Sequence, residues 1–213
     1  GPVKNLNLYN TILKKDLFKN KIVFHEFPSL EAQIAAMSDD IAYNNHDLED
    51  GLRAGLFTIE KLNSISFVSK FINKHVRNKK SFRREIIINQ IVRELINIMV
   101  VDVINTTNRN LKKYNPQSIK DIYKQDHLIV DFSDKMKIVH MQIKYFLRHY
   151  MYNHKKVIIN TNRGKRIIKV LFNYLLKNPK KYINEKLLKK EAKERVVADF
   201  IAGMTDRYAI NLY

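Results

Sequence analysis

The sequence contains no cysteine and, across 213 residues, only five glycines and four prolines. Without cysteine there is no disulfide framework and no thiolate metal site, which fits a reducing compartment such as the cytoplasm. The scarcity of helix breakers leaves most of the chain free to run at helical period. No uncharged run approaches the ~20 apolar residues that cross a bilayer, and the first residues carry no signal-peptide pattern. The expectation is a soluble protein with no membrane partner. Gly-rich phosphate loops, G-x-S-x-G elbows and Walker patterns are all missing, which argues against P-loop nucleotidases and serine hydrolases. Acidic residues are also few: 39 Lys and Arg against 21 Asp and Glu give a formal charge of +18. That excess favours anionic ligands, either phosphates or single-stranded nucleic acid. Biased codon usage is the competing explanation, because Lys, Ile, Asn, Tyr and Phe are abundant together and the lysines are spread along the chain. Arg-Gly repeats and aromatic-interleaved platforms for single strands are lacking.

What remains reads as an all-α protein with a single core. Residues 3–27 look irregular, with a short helix near Tyr9–Phe18 and an extended Ile22–Phe27 piece. Pro28 and Ser29 punctuate, and Ser29 is suited to cap a helix over Leu30–Asp50, with Glu31 near its positive end. Gly51 and Gly55 allow a bend or close packing at its far end. A second helix is expected over Phe57 to about His75, a break at Asn78–Ser81, and a long helix from Phe82 to about Thr106. In that long helix Ile91, Leu95, Ile98, Val101 and Ile104 form the inward set. Residues 109–118 are a polar loop and 119–132 a weaker segment. Asp134 to about Lys155 is strongly helical, with Met136, Val139, Ile143, Phe146, Leu147 and Tyr150 inward. Gly164 opens a further stretch to Lys177, stopped by Pro179, and a last helix covers Leu187 to about Asn211. No repeat, low-complexity tract or linker is evident, so 1–213 reads as one helical region.

The most informative spacing is in LEAQIAAMSDDIAYNNHDLEDGLRAG, Leu30 to Gly55. Asp39, Tyr43 and Asp47 stand four residues apart, and on an α-helix that step stacks them on one face. At ~1.5 Å rise per residue the two carboxylates lie about 12 Å apart along the axis. That span suits a ligand with a charged end near Asp39 and a hydrogen-bonding end near Asp47, such as a nucleotide. The stripe Leu30, Ile34, Met37 and Ile41 is apolar and is expected to face the core. A solvated helix face is the plain alternative for Asp39 and Asp40, and a core-edge tyrosine the plain alternative for Tyr43.

On these blocks the chain resembles a known family, the HD-type deoxynucleoside triphosphate triphosphohydrolases or dGTPase-like proteins. The matching stretches are Glu31–Gly55, IVRELINIMVVDVI (Ile91–Ile104), FLRHYMYNHKKV (Phe146–Val157) and DFIAGMTDRYAI (Asp199–Ile210). The first is the specific one. The resemblance implies an all-helical HD-domain fold and hydrolysis of a dNTP, with dGTP favoured, to deoxynucleoside and triphosphate. It also implies a divalent metal such as Mg or Mn and a homo-oligomer. Two His and two Asp hold the metal in that family, and the first Asp of the Asp-x-x-x-Tyr-x-x-x-Asp stripe falls on Asp39. Tyr43 then packs on the sugar and Asp47 accepts from its 3′-hydroxyl.

The departure from the pattern is that a His and a His-Asp pair belong upstream of everything in this sequence. The chain therefore looks like the C-terminal half of such an enzyme, and alone it is expected to be inactive. His46-Asp47 imitates the missing pair, but its neighbours match the downstream block. Arg83, Arg84 and Arg93 read as a solvated face, and no phosphate-binding residue can be assigned. Met204–Tyr208 is expected to be structural, with an Asp-Arg pair and Tyr208 fixing the last helix against the core or a neighbouring subunit. The remaining histidines (His25, His75, His127, His140, His149 and His154) read as surface or packing residues. The rival function is a basic helical module that binds nucleic acid or another subunit without catalysis.

Overall fold

The computed structural model describes residues 26–77 and 83–213, and the described residues form helices joined by turns, with no strand among them. The all-α expectation is met. The expected short helix at Tyr9–Phe18, the break at Asn78–Ser81 and most of the Ile22–Phe27 segment lie outside the described residues. The chain divides into two compact units, 1–151 and 152–213. None of the described helices is long and apolar enough to cross a membrane.

In the first unit, α1 (Leu30–Arg53) begins where Ser29 accepts a hydrogen bond from the Ala32 N–H at 3.3 Å. That bond satisfies one of the orphan donors of the first turn. Its buried face is not the expected apolar stripe. Ile41 is buried, Leu30 and Met37 are half-buried, and Ile34 is 51% exposed. Gln33, Asn44, Asn45, Leu48, Gly51 and Leu52 are inside instead. Three buried amides are tolerable only if hydrogen-bonded. Gln33 Oε1 accepts from the Ile129 and Val130 N–H groups at 2.9 and 3.0 Å, and its Nε2 donates to the Pro28 carbonyl at 2.8 Å. Asn45 Nδ2 donates to the Ile41 carbonyl at 2.8 Å.

The far end of α1 shows why two glycines stand there. A β-carbon on Gly51 would run into the ring of buried Phe57, and Gly55 turns the chain with φ 65°. Phe57 in turn meets Phe146 edge-on, with ring centroids 4.9 Å apart. The expected second helix is broken into a 3-10 turn, Ile59–Ser64, and α2, Ser66–Arg77, with buried Ile65 extended between them. Next, α3 runs Arg84–Tyr114, about two turns beyond the expected end and into the expected 109–118 loop, and stops at Asn115 in the left-handed region. Asparagine tolerates that conformation.

Ile88, Ile91, Val92, Leu95 and Met99 of α3 are buried, whereas Val101 and Ile104 are 46% and 53% exposed. The expected inward set used successive steps of three, and each such step slips about 60° around the axis, so it leaves the core face. A short helix α4, Ile119–Tyr123, follows, and then α5, Asp134–Leu147, capped by Ser133. The α5 expectation holds: Met136, Val139, Ile143, Phe146 and Leu147 are buried. A π-helical turn, Arg148–Tyr152, ends it earlier than expected.

In the second unit, α6 spans Lys155–Lys177 and passes through Gly164 rather than starting at it. Nothing crowds that glycine. The expected last helix is three: α7 (Glu185–Lys190), α8 (Lys193–Ala202) and α9 (Asp206–Leu212). Leu175, Ile183, Val196 and Val197 form the unit's apolar cluster. Thr205 caps α9 by accepting from the Tyr208 N–H at 3.2 Å. Asp206, Arg207 and Tyr208 are exposed. That stretch starts a helix and does not fix it against the core of this unit.

Replacing Gly51 by Ala forces Phe57 to move and should lower the unfolding free energy by about 1–3 kcal/mol. Denaturant midpoints of the two proteins measure this. Unchanged midpoints would show that the Phe57 ring is not held against α1.

Candidate functional site

Asp39, Tyr43 and Asp47 all lie within the unbroken helix α1. Steps of four advance the direction by about 40° each, so the three share one edge of the cylinder, opposite the direction of Ile41, Leu48 and Leu52. Accordingly Asp39 is exposed, Tyr43 is 58% exposed and Asp47 is half-buried and engaged with a neighbour. The edge is open rather than enclosed by the described residues.

Sequence reasoning leaves Asp40 as a solvated residue or as a one-residue slip of the Asp39 register, and it misses a cluster there. The Lys144 ammonium lies 2.7 Å from Asp40 Oδ2, and His140 Nε2 lies 3.3 Å from the same oxygen. Asn44 Nδ2 donates to the Asp40 carbonyl at 2.6 Å and lies 3.0 Å from His140 Nε2. The two Nδ2 hydrogens thus serve α1 itself and the imidazole of α5. Neutral His140 accepts from Asn44 through Nε2, while protonated His140 donates from that nitrogen to Asp40. Burial, followed by the neighbouring Lys144 ammonium, holds the His140 pKa below its ordinary value, with Asp40 opposing. Nothing local in the sequence signals this contact, because the partners are about a hundred positions apart; only the apolar spacing around His140 hinted at burial.

Among the described residues no group of three or more His, Cys, Asp or Glu is arranged to hold a metal ion. His46 Nδ1 sits 3.7 Å from Glu49 Oε2, a contact along its own helix. Asp39 is one carboxylate, and a metal site needs several ligands in a fixed shell. The described residues therefore do not by themselves fit a complete metal centre. A cavity of about 810 Å³ lies elsewhere in this unit, lined by Asp102, Arg109, Lys113, Tyr114 and His127 among others. Asp102 shapes it by accepting from the Ser133 N–H and hydroxyl at 2.8 and 2.7 Å.

Residues 130–213 match the phosphohydrolase-associated domain family. Over its whole length the chain is 46% identical to a deoxyguanosinetriphosphate triphosphohydrolase-like protein of Pelagibacter ubique, of which it covers 57%. A protein of the same name from Bartonella henselae is 34% identical across all of this chain and 54% of its own length. One from Brucella anthropi is 38% identical over 86% of this chain and 47% of its own length. The chain belongs to the deoxyguanosinetriphosphate triphosphohydrolase-like family. It spans about half the length of the curated relatives it matches.

The low pKa of His140 has a sign. Its folded value lies below the unfolded 6.5, so the unfolded chain takes up the proton first. The stability contributed by neutral His140 is fully present above pH ~6.5 and is lost as pH falls through the folded value. Melting temperatures from pH 8 to pH 5 should fall less steeply in a His140→Gln protein than in the parent. Parallel curves would contradict the burial of the neutral ring.

Proposed function

We propose that the protein carrying this chain hydrolyses a dNTP, with dGTP favoured, to deoxynucleoside and triphosphate, and that it depends on Mg or Mn. Asp39 is this chain's contribution to the metal, Tyr43 packs on the sugar and Asp47 accepts from the 3′-hydroxyl. One observation carries the reading. The three side chains lie along an unbroken helix on the edge pointing away from the core, in a chain whose relatives bear the triphosphohydrolase-like name. The about 12 Å between Asp39 and Asp47 along the axis suits a ligand with a charged end and a hydrogen-bonding end, such as a nucleotide. Since one carboxylate is not a metal site, the chain alone is inactive, and the remaining ligands come from outside its described residues. Association into a homo-oligomer belongs to the same proposal, as does a cytoplasmic setting.

A second reading has its own support. Within residues 152–213, Lys and Arg outnumber Asp and Glu three to one, so the excess charge is denser there than in the rest of the chain. Lys155, Lys156, Arg163, Lys165, Arg166 and Lys169 of α6 are all exposed. Such a surface attracts polyanions, single-stranded nucleic acid among them.

The first reading is tested by joining the chain to the upstream part of its protein, adding Mn²⁺ or Mg²⁺ and assaying tripolyphosphate release from dGTP. Asp39→Ala should abolish release, and Asp47→Ala should lower kcat/KM by about 10–100-fold. Full activity in Asp39→Ala refutes the assignment. For the second reading, affinity for an oligodeoxythymidylate should fall with salt at a slope of about −0.7 per phosphate contact and be indifferent to Asp39→Ala. Binding that ignores salt would remove it.

A further inference from the structure

We propose that Lys144 is the cation that meets the phosphates of a nucleotide held on the Asp39–Tyr43–Asp47 edge, and that Asp40 and His140 are the residues that position it. The inference rests on the reading of that edge as a nucleotide site. It adds a side chain from a different helix, nearly a hundred residues downstream, for which no motif gives a role.

Position comes first. Asp40 is one residue from Asp39, about 100° further around α1 and within about 20° of the direction of Asp47. It therefore flanks the edge on the side where α5 packs, and the Lys144 ammonium 2.7 Å from its Oδ2 occupies that flank. The ammonium is also reachable, since the Lys144 side chain is 48% exposed and that of Asp40 40%. A pair this open contributes little to stability, because solvent screens it and two side chains must be ordered. Its consequence is placement. Lysine is a compact charge on a flexible stem and can turn from a carboxylate to a phosphate oxygen without breaking the helix contact.

The carboxylate is itself held. His140 is 9% exposed and lies 3.3 Å from Asp40 Oδ2, while Asn44 lies 3.0 Å from His140 and 2.6 Å from the Asp40 carbonyl. Asp40 thus has a defined direction, and Lys144 inherits it. Other charged groups near α1 serve elsewhere: Arg53 pairs with Glu49 at 2.8 Å and Asn89 at 2.6 Å, and Arg84 donates to the Leu52 carbonyl at 3.1 Å. These lie toward the C-terminal end of α1, beyond Asp47. A triphosphate whose sugar sits at Tyr43 and Asp47 extends toward Asp39, which is the end where Lys144 stands.

The test uses the full-length protein that carries this chain, with EDTA present to stop turnover, and measures affinity for dGTP and for deoxyguanosine. Lys144→Met should weaken dGTP about tenfold, equivalent to about 1.4 kcal/mol, and leave deoxyguanosine unchanged. Lys144→Arg should restore most of the dGTP affinity, and Asp40→Asn should weaken dGTP by less than Lys144→Met. Melting curves establish that the variants fold, which an exposed lysine makes straightforward. Equal affinity of Lys144→Met and parent for dGTP overturns the inference, as does an equal loss for both ligands. Asp47→Ala separates the two layers of the argument. If it weakens deoxyguanosine while Lys144→Met does nothing, the edge stands and the Lys144 role falls; if it leaves deoxyguanosine untouched, the edge falls and Lys144 with it.

Discussion

Burying three amides on one face of α1 is the constraint on which the rest depends. Gln33, Asn44 and Asn45 are each inside, and each must find partners that water would otherwise supply. Gln33 finds them in the Ile129–Val130 backbone, Asn44 in Asp40 and His140, and the Asn45 Nδ2 in its own helix and Met99, while Asn45 Oδ1 is buried without a partner among the described residues. A rotation of α1 by one residue would expose Leu48 and Leu52 and strand these amides. The helix is therefore pinned about its axis, and the direction of Asp39, Tyr43 and Asp47 follows from the pinning rather than from anything those three do.

That division of labour explains which parts of the fold were legible. Helix starts were read from local chemistry: Ser29 caps α1, and Pro28 before it cannot continue a helix from upstream. The inward set of α5 was read correctly because its steps of three and four alternate and hold the core face. On α3 the same method failed at Val101 and Ile104, where β-branched apolar residues occur on an exposed face of a long helix. The C-terminal segment was read as one helix because Leu187 to Asn211 keeps an apolar pattern. Thr205 nonetheless caps a fresh helix and Gly203 ends the one before it. On α1 the amides were invisible to a hydrophobic count. The spacing of Ile34 from Leu30, Met37 and Ile41 puts it inward, yet it is exposed, while Gln33 is buried with its oxygen on two backbone N–H groups.

The candidate site divides in the same way. A repeat of four within one helix is a local signal, and Asp39, Tyr43 and Asp47 could be singled out from it. The Asp40–His140–Lys144 contact joins residues about a hundred positions apart, and no spacing rule reaches that far. Asp40 escapes notice for that reason, and His140 reads like the five histidines grouped with it. The lysines are spread along the chain, but acidic residues are few in 152–213, so basic side chains outnumber acidic ones three to one there.

The central claim is that the outward edge of α1 receives a nucleotide, and a structure of the full-length protein with a non-hydrolysable dGTP analogue tests it most directly. The account places the sugar ring against Tyr43, its 3′-hydroxyl within hydrogen-bond distance of Asp47, and the phosphates at the Asp39 end. An analogue bound elsewhere, with the α1 edge bare or covered only by protein, would contradict it.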